Sequence, residues 1–229
     1  MTWKDINVFQ YQQIMDLYAD AKEMTELDLA YKITGIVMDL TENQIDSLPV
    51  DQLKPLLEQI KFIHEQPKPQ PEKYLKVNGK RYRCIYDVRK IPSARYIETK
   101  YFDQDRIGNL HKLAGSMVMP QKRNWLGIWV DDKYNAEKHS EYSEDMLAAP
   151  ITSILGSVVF FYQVYRNWIK VSKDYLTKQM ILTGMSKYQA EKVYTHLCEI
   201  MDGYIKPHWW LNTKKSSWQK FMNYLLSNS

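Results

Sequence analysis

The sequence is poor in glycine and contains only two cysteines. Eight glycines among 229 residues do not suit a loop-rich or all-β fold. Cys84 and Cys198 are far apart, so they make neither a disulfide framework nor a zinc site, and they are typical of a reducing compartment. The opening residues contain no apolar stretch of the kind found in signal peptides, and we predict no signal peptide in them.

Arginine is absent from residues 1–66, which contain twelve acidic side chains and five lysines. Residues 67–229 hold the remaining twenty-six basic and fifteen acidic side chains. This change of sign coincides with Pro67, Pro69 and Pro71, which cannot lie together inside a helix or a central strand. We therefore predict an acidic helical module over residues 1–66, an extended linker over 67–72 and a basic domain over 73–229.

The motifs of common catalytic and cofactor sites are also absent. The chain has no GxSxG, HExxH or CxxC motif and no glycine-rich phosphate loop. His196 and Cys198 are two residues apart on a predicted helix and do not share a face. His139 lies among glutamates, a pattern typical of a solvated loop. We predict a protein that is not an enzyme, with no catalytic residue, cofactor, metal or small-molecule substrate.

Residues 146–165 carry no charge and are about as long as a membrane span. They also contain Pro150 and several polar side chains, and the amphipathic residues 166–170 follow them. This pattern favours a buried central helix over a membrane span, and we predict no membrane partner.

Helix-start signals recur through residues 1–66. Asn7 precedes an apolar-periodic stretch, and Thr25 and Thr41 begin capping-box patterns. Asp51 starts a further predicted helix, in which Pro55 is tolerable if it falls near the first turn. Three or four helices follow from these signals, with the acidic residues on the solvent face.

Residues 74–86 have the pattern of a β-hairpin. Asn78-Gly79 supplies the positive φ values of a two-residue type I′ turn, and Tyr82 and Cys84 alternate with basic neighbours. A single hairpin is marginally stable in water. We therefore expect it to pack on helices or to pair with another strand.

The remaining residues are mostly helical in pattern. Predicted helices start at Pro92, at Asp105 (running through Val118 to Pro120), at Ser186 (ending at Gly203) and at Ser217. Residues 143–183 form a predicted long helix or helix pair, which is broken at Pro150 or starts there and is ended by Gly184. Residues 121–142 have an irregular pattern, with 125–130 as a short strand or a contact loop. The predicted fold class is mainly α-helical α+β, with a β-hairpin packed on a helical bundle.

Aromatic residues are abundant, with seventeen Tyr and seven Trp, and such side chains bury much area at protein contacts. They alternate with lysine and arginine around the hairpin and in residues 206–220, a pattern that also suits nucleic acid. A solvated basic face, or a surface for an acidic protein, explains the same pattern. The predicted partner-binding residues are Arg81, Tyr82, Arg83, Trp125, Trp129, Trp209, Trp210 and Trp218.

Four stretches resemble a family of tailed-bacteriophage proteins. They are Trp3-Lys4-Asp5-Ile6, Val77-Asn78-Gly79-Lys80-Arg81-Tyr82, Ala94-Arg95-Tyr96-Ile97 and Asn109-Leu110-His111-Lys112-Leu113. The family occurs in phages of gut Bacteroidetes, including crAss-like and related types, among particle-assembly genes. The resemblance covers residues 1–165 in organisation and carries over no catalytic residue.

The resemblance implies a structural or assembly role in the phage particle, as a tail or neck component or a tail-assembly chaperone. Its implied partners are other phage structural proteins or further copies of the chain. Its implied location is the host cytoplasm during assembly and the virion. The alternative from the basic and aromatic residues is a nucleic-acid-binding protein that is packaged with the phage genome or acts on it.

Overall fold

The computed structural model of the protein describes residues 1–21, 24–86, 102, 105, 107–171 and 173–205, with the backbone alone for residues 50, 161–170 and 197–205. The described chain is mainly helical and contains one four-stranded antiparallel sheet. This architecture confirms the predicted mainly helical α+β class. The predicted helices that start at Pro92 and Ser217 lie outside the described residues.

The acidic residues 1–66 form four α-helices, and the predicted caps begin three of them. The helices are α1 (Val8–Asp20), α2 (Glu26–Met38), α3 (Glu42–Asp46) and α4 (Val50–Gln59). Asn7, Thr25 and Thr41 each accept a hydrogen bond from the backbone N–H three residues on, and each box is closed reciprocally. Short 3-10 helices cover Trp3–Asp5 and Lys61–His64.

Helix α4 departs from the prediction at its start. It begins at Val50 instead of Asp51, and Pro49 precedes it without a side-chain cap. Pro55 therefore lies in the second turn, where it removes the hydrogen bond that the Asp51 carbonyl would accept. Asp51 and Pro55 are both exposed, so water can satisfy that carbonyl.

Five further helices follow among the described residues. They are α5 (Leu110–Ser116), α6 (His139–Leu147), α7 (Ile151–Val171), α8 (Lys173–Leu182) and α9 (Lys187–Ile205). Pro150 separates α6 from α7 as predicted, and Gly184, at φ 97°, follows the end of α8. Ser186 caps α9, which continues past the predicted end at Gly203. A short 3-10 helix covers Ala136–Lys138.

The sheet is an antiparallel meander in the order β1-β2-β3-β4. Its strands are β1 (Tyr74–Val77), β2 (Lys80–Cys84), β3 (Val118–Arg123) and β4 (Trp129–Asp131). Asn78 and Gly79 have φ values of 50° and 74°, so the predicted two-residue turn joins β1 to β2. The additional strand that the hairpin requires comes from β3 of the same chain.

Strand β3 corrects the predicted helix over 105–120. Helix α5 starts only at Leu110 and ends at Ser116, and the chain then becomes extended at Val118. Pro120 lies opposite Tyr82 in β2 while its carbonyl accepts from Asp132 on the β4 side. In an antiparallel strand, the N–H and C=O of one residue point towards the same neighbouring strand. The N–H that Pro120 lacks would therefore point towards the end of β4 and not towards β2. The proline thus removes no hydrogen bond between β2 and β3.

Residues on both sides of the proline segment share one hydrophobic core. Ile6 accepts a hydrogen bond from the backbone of Ile151, and Val8 donates to Ala149. All four residues are fully buried. One core in the described chain therefore includes residues from both sides of segment 67–72.

The proline segment itself packs against α7. The backbone N–H of Gln70 donates to the Thr152 carbonyl at 3.0 Å, and Pro67 is buried. A Cβ atom on Gly156 would lie 2.2 Å from the carbonyl carbon of Gln70, so only glycine fits there. Helix α7 begins with buried apolar residues, as predicted for residues 146–165.

Candidate functional site

The loop between β3 and β4 is built by one asparagine side chain. Asn124 Oδ1 accepts hydrogen bonds from the backbone N–H groups of Leu126 and Ile128 at 3.0 and 2.9 Å. The Asn124 backbone also bonds to Gly127 and Ile128, each at 2.9 Å. Gly127 takes the left-handed conformation at φ 73°, which closes the turn at little steric cost.

This ordered loop presents large apolar side chains to solvent. Trp125 is 91% exposed, Leu126 58% and Ile128 57%. We name these three residues the hairpin tip; they lie at the turn between β3 and β4, not at the Asn78-Gly79 turn between β1 and β2. Covering a tryptophan ring removes roughly 150–250 Å² from water, which corresponds to an upper bound on the order of 4–6 kcal/mol. An exposed cluster of this kind marks a surface that gains free energy when a partner covers it.

Basic and aromatic side chains alternate on the outer face of the sheet. The strand register places Tyr74, Arg81, Arg83, Arg123 and Trp129 on this face. The Arg81 guanidinium lies 4.2 Å from the Tyr74 ring centre and 5.3 Å from that of Trp129. Arg123 lies 5.1 Å from the same tryptophan ring. Cation–π contacts thus hold these side chains in a fixed layer.

Acidic side chains neutralise part of the positive charge near this face. Asp131 receives a forked hydrogen bond from Arg83, and Lys122 donates to Asp132 at 2.7 Å. The hydrogen bond from Arg83 holds the pKa of Asp131 below its ordinary value. Lys76 and Arg123 have no acidic partner among the described residues. The net positive charge on the sheet is therefore smaller than the number of its lysines and arginines suggests.

One outer-face pair has unused hydrogen-bonding groups. Arg81 lies directly opposite Gln121 in the β2–β3 register. Arg81 Nε and Gln121 Oε1 are both buried, and neither has a hydrogen-bond partner in the described part of the chain. Because both atoms are buried, they cost free energy in this arrangement and offer no direct contact to a partner.

The inner face of the sheet is fixed to α6 by a buried carboxylate. Asp145 accepts hydrogen bonds from Asn78 Nδ2 at 3.0 Å, from Lys80 Nζ at 2.8 Å and from the Tyr82 hydroxyl. Lys80 also donates to Glu141 at 2.8 Å. We name Asn78, Lys80, Tyr82 and Asp145 the sheet anchor.

The sheet anchor shifts the pKa values of its members. Burial raises the pKa of Asp145, but its hydrogen bonds from Lys80, Tyr82 and Asn78 outweigh burial and hold that pKa below its ordinary value. Burial, followed by the hydrogen bond to Asp145, raises the pKa of the Tyr82 phenol. The hydrogen bond to Asp145 also raises the pKa of Lys80. All three groups therefore keep their ordinary neutral-pH protonation states, which suits a structural link.

The predicted partner-binding residues occupy three different environments. Arg81, Arg83 and Trp129 lie together on the outer face, and Trp125 stands at the hairpin tip. Tyr82 is 1% exposed on the inner face, so its ring offers no surface to a partner. The predicted residues Trp209, Trp210 and Trp218 lie outside the described residues.

Sequence reasoning did not single out three further residues of this surface. Leu126 and Ile128 complete the hairpin tip, and Arg123 stacks on Trp129. The available signal was Asn124 followed three residues later by Gly127, a tight-turn pattern that moves its apolar neighbours out of a strand.

Histidine and serine side chains also meet in the packing of α5 against α6. Ser116 Oγ lies 2.9 Å from His139 Nε2, and Ser143 Oγ lies 3.3 Å from His139 Nδ1. Ser116 is 1% exposed and also bonds to the Lys112 carbonyl. A buried hydroxyl of this kind cannot reach a substrate. Within the described ranges, no group of three or more metal-ligating side chains comes together.

Comparison with protein-family models, with curated proteins and with solved structures found no match for this chain. Among the described helices, none combines the length and the apolar character that a bilayer crossing requires.

Proposed function

We propose that this protein is a non-enzymatic structural or assembly protein of a bacteriophage particle, which binds a protein partner through the hairpin tip. The observation that carries the proposal is the exposure of Trp125, Leu126 and Ile128 on a hydrogen-bonded loop. The phage assignment is supported by the resemblance of residues 1–165. A tail or neck component and a tail-assembly chaperone both fit such a surface, in the host cytoplasm during assembly or in the virion.

A protein partner suits the tip better than nucleic acid does. Leu126 and Ile128 cannot stack on bases as aromatic rings do, whereas an apolar pocket can cover both of them together with Trp125. The ordered loop also limits the conformational entropy lost on binding, because Asn124 already fixes the backbone. Binding at the tip therefore requires little rearrangement of the protein.

The test is photo-crosslinking from the hairpin tip. Trp125 is replaced by a photoreactive phenylalanine analogue in the full chain, which is produced together with the products of the neighbouring genes. The matched control carries the same group at Tyr188, which is 74% exposed on α9. We expect a discrete adduct with a particle protein from position 125 and none from position 188, identified by mass spectrometry.

Equal or absent protein adducts from the two positions would contradict the proposal. Adducts with nucleic acid alone, or with lipid alone, would also contradict it. The neighbouring genes give an independent check, because portal, capsid or tape-measure genes are expected beside a particle-assembly gene.

Nucleic-acid binding is the second candidate function, and the layer formed by Arg81, Arg123 and Trp129 favours it. Fluorescence anisotropy with a labelled duplex would detect an affinity that falls steeply between about 50 and about 200 mM salt. Arg123→Gln is expected to weaken such binding. The control Lys122→Gln removes a lysine that Asp132 already pairs. An affinity that does not change with salt would rule out this candidate.

A further inference from the structure

A groove with a volume of about 850 Å³ runs between α1, α2 and α3, away from the sheet and the hairpin tip. Its apolar lining includes Phe9, Leu17, Leu27 and Ile36. Phe9 is 50% exposed and Leu27 40% exposed. The groove therefore leaves apolar surface uncovered on the acidic part of the chain.

Helix α1 uses one face for the core and a second for this groove. Val8, Tyr11 and Ile14 are fully buried in the core. Phe9 and Leu17 both line the groove, but Leu17 also packs against the edge of the core, whereas Phe9 does not belong to the core. A helix that serves only one core needs no large apolar side chain on a further face. The half-exposed Phe9 therefore indicates a second packing partner.

The rim of the groove is acidic. Asp28, Asp39, Glu42 and Asp46 line it against one basic side chain, Lys32. Lys32 already lies 3.6 Å from Glu42, and this pair is solvent-exposed. Three carboxylates remain without an opposite charge on the rim. An apolar floor with an acidic rim fits a basic amphipathic segment.

We propose that segment 206–229 of this chain binds in the groove. The segment contains four lysines and no Asp or Glu, so its charge is opposite to that of the rim. Its sequence places Trp218, Phe221 and Leu225 at helical spacing, which gives one apolar stripe. Segment 206–229 thus has the charge opposite to that of the acidic rim and an apolar stripe that can cover the apolar floor of the groove.

The segment is long enough to cover the groove. Helix α2 has thirteen residues and so spans about 20 Å. Segment 206–229 has twenty-four residues, enough for a helix that follows the whole groove. Binding to a neighbouring copy would join subunits head to tail, which closes into rings or extends into filaments. This inference concerns a surface separate from the hairpin tip and does not require the proposed function.

The test is zero-length carbodiimide coupling on the full chain, which joins lysine amines directly to carboxylates. We expect Lys214, Lys215 or Lys220 to couple to Asp28, Glu42 or Asp46. Equal amounts of ordinary and isotopically heavy chain are mixed before coupling. Mixed-mass peptide pairs then report binding between copies, and unmixed pairs report binding within one copy; both place the segment in the groove.

Two variants and two matched controls test the apolar floor and the acidic rim. Phe9→Ser and Asp46→Lys should each lower the coupling of the segment to the remaining rim carboxylates by about fivefold. The controls are Val193→Ser, which is 44% exposed on α9, and Asp174→Lys on α8. Neither control should change the coupling, and thermal melting should show that all four variants are folded.

Three outcomes would overturn the inference. The segment lysines could couple equally to carboxylates outside the groove, such as Glu191. Coupling could stay unchanged in folded Phe9→Ser and Asp46→Lys chains. The rim could couple only to a different protein, with the segment free.

Discussion

Tyr82 on the sheet donates a hydrogen bond to Asp145 on α6, although the two residues are sixty-three positions apart in sequence. Both side chains are buried, with Tyr82 1% and Asp145 6% exposed. The pair connects the inner face of the sheet to the helical core. It holds in place the sheet that carries the exposed hairpin tip.

We expect Asp145→Ala to destabilise the protein by about 3 kcal/mol, because it leaves the buried Tyr82 hydroxyl without an acceptor and also removes the bonds from Lys80 and Asn78. Tyr82→Phe should cost only about 1 kcal/mol, since Asp145 keeps its bonds from Lys80 and Asn78. Urea unfolding measures both changes. The control is Glu141→Gln, which is exposed and should leave the urea midpoint nearly unchanged. A cost for Glu141→Gln equal to that of Asp145→Ala would show that the buried hydrogen bonds are not the cause.

The lowered pKa of Asp145 predicts a loss of stability in acid. Its folded-state pKa lies below the ordinary 3.8, so the unfolded chain takes up a proton first as the pH falls. The stabilisation is therefore complete above about pH 5 and declines as the pH falls through 3.8 towards the folded-state pKa. Urea midpoints measured between about pH 7 and about pH 3 should fall more steeply for the unmodified chain than for Asp145→Asn. Parallel curves for the two proteins would contradict this assignment.

The sequence predicted those helices whose start signals are local. Asn7, Thr25, Thr41 and Ser186 cap helices because their side chains bond to N–H groups within three residues. Asn78-Gly79 likewise defined its hairpin turn. Strand β3 was missed because Val118 continues the helical apolar spacing of α5. Only pairing with β2, more than thirty residues away, makes this segment extended.

The candidate site was predictable only where strand alternation determines it. Arg81 and Arg83 share the outer face because alternate residues of a strand point the same way. The same rule places Tyr82 on the inner face, but its partner Asp145 follows from tertiary packing. For residues 125–130 the sequence predicts either a short strand or a contact loop, because apolar residues in a sequence favour burial while the turn signal at Asn124 and Gly127 favours exposure.

Asn124→Ala should loosen the hairpin tip without affecting the core. The substitution removes the side-chain acceptor of the Leu126 and Ile128 amides, which leaves the core contacts of β3 intact. We expect those two amides to exchange with solvent at least about tenfold faster by NMR, with a change in global stability below about 1 kcal/mol. Trp125→Ala serves as the control, since it removes an exposed ring and keeps the acceptor. Unchanged exchange in Asn124→Ala would mean that the Asn124 side chain does not order the loop.

Gly156→Ala tests whether the proline segment is packed against α7. In an ordinary helix interior this change stabilises by about 1 kcal/mol, because alanine has the higher helix propensity. Here the added Cβ would lie 2.2 Å from the Gln70 carbonyl carbon and 2.4 Å from Pro71 N, so backbone must move. We expect a net loss of about 2 kcal/mol or more in urea unfolding and faster amide exchange at Gln70, whose N–H bonds to Thr152. A gain in stability with unchanged exchange at Gln70 would instead describe residues 67–72 as a linker free of α7.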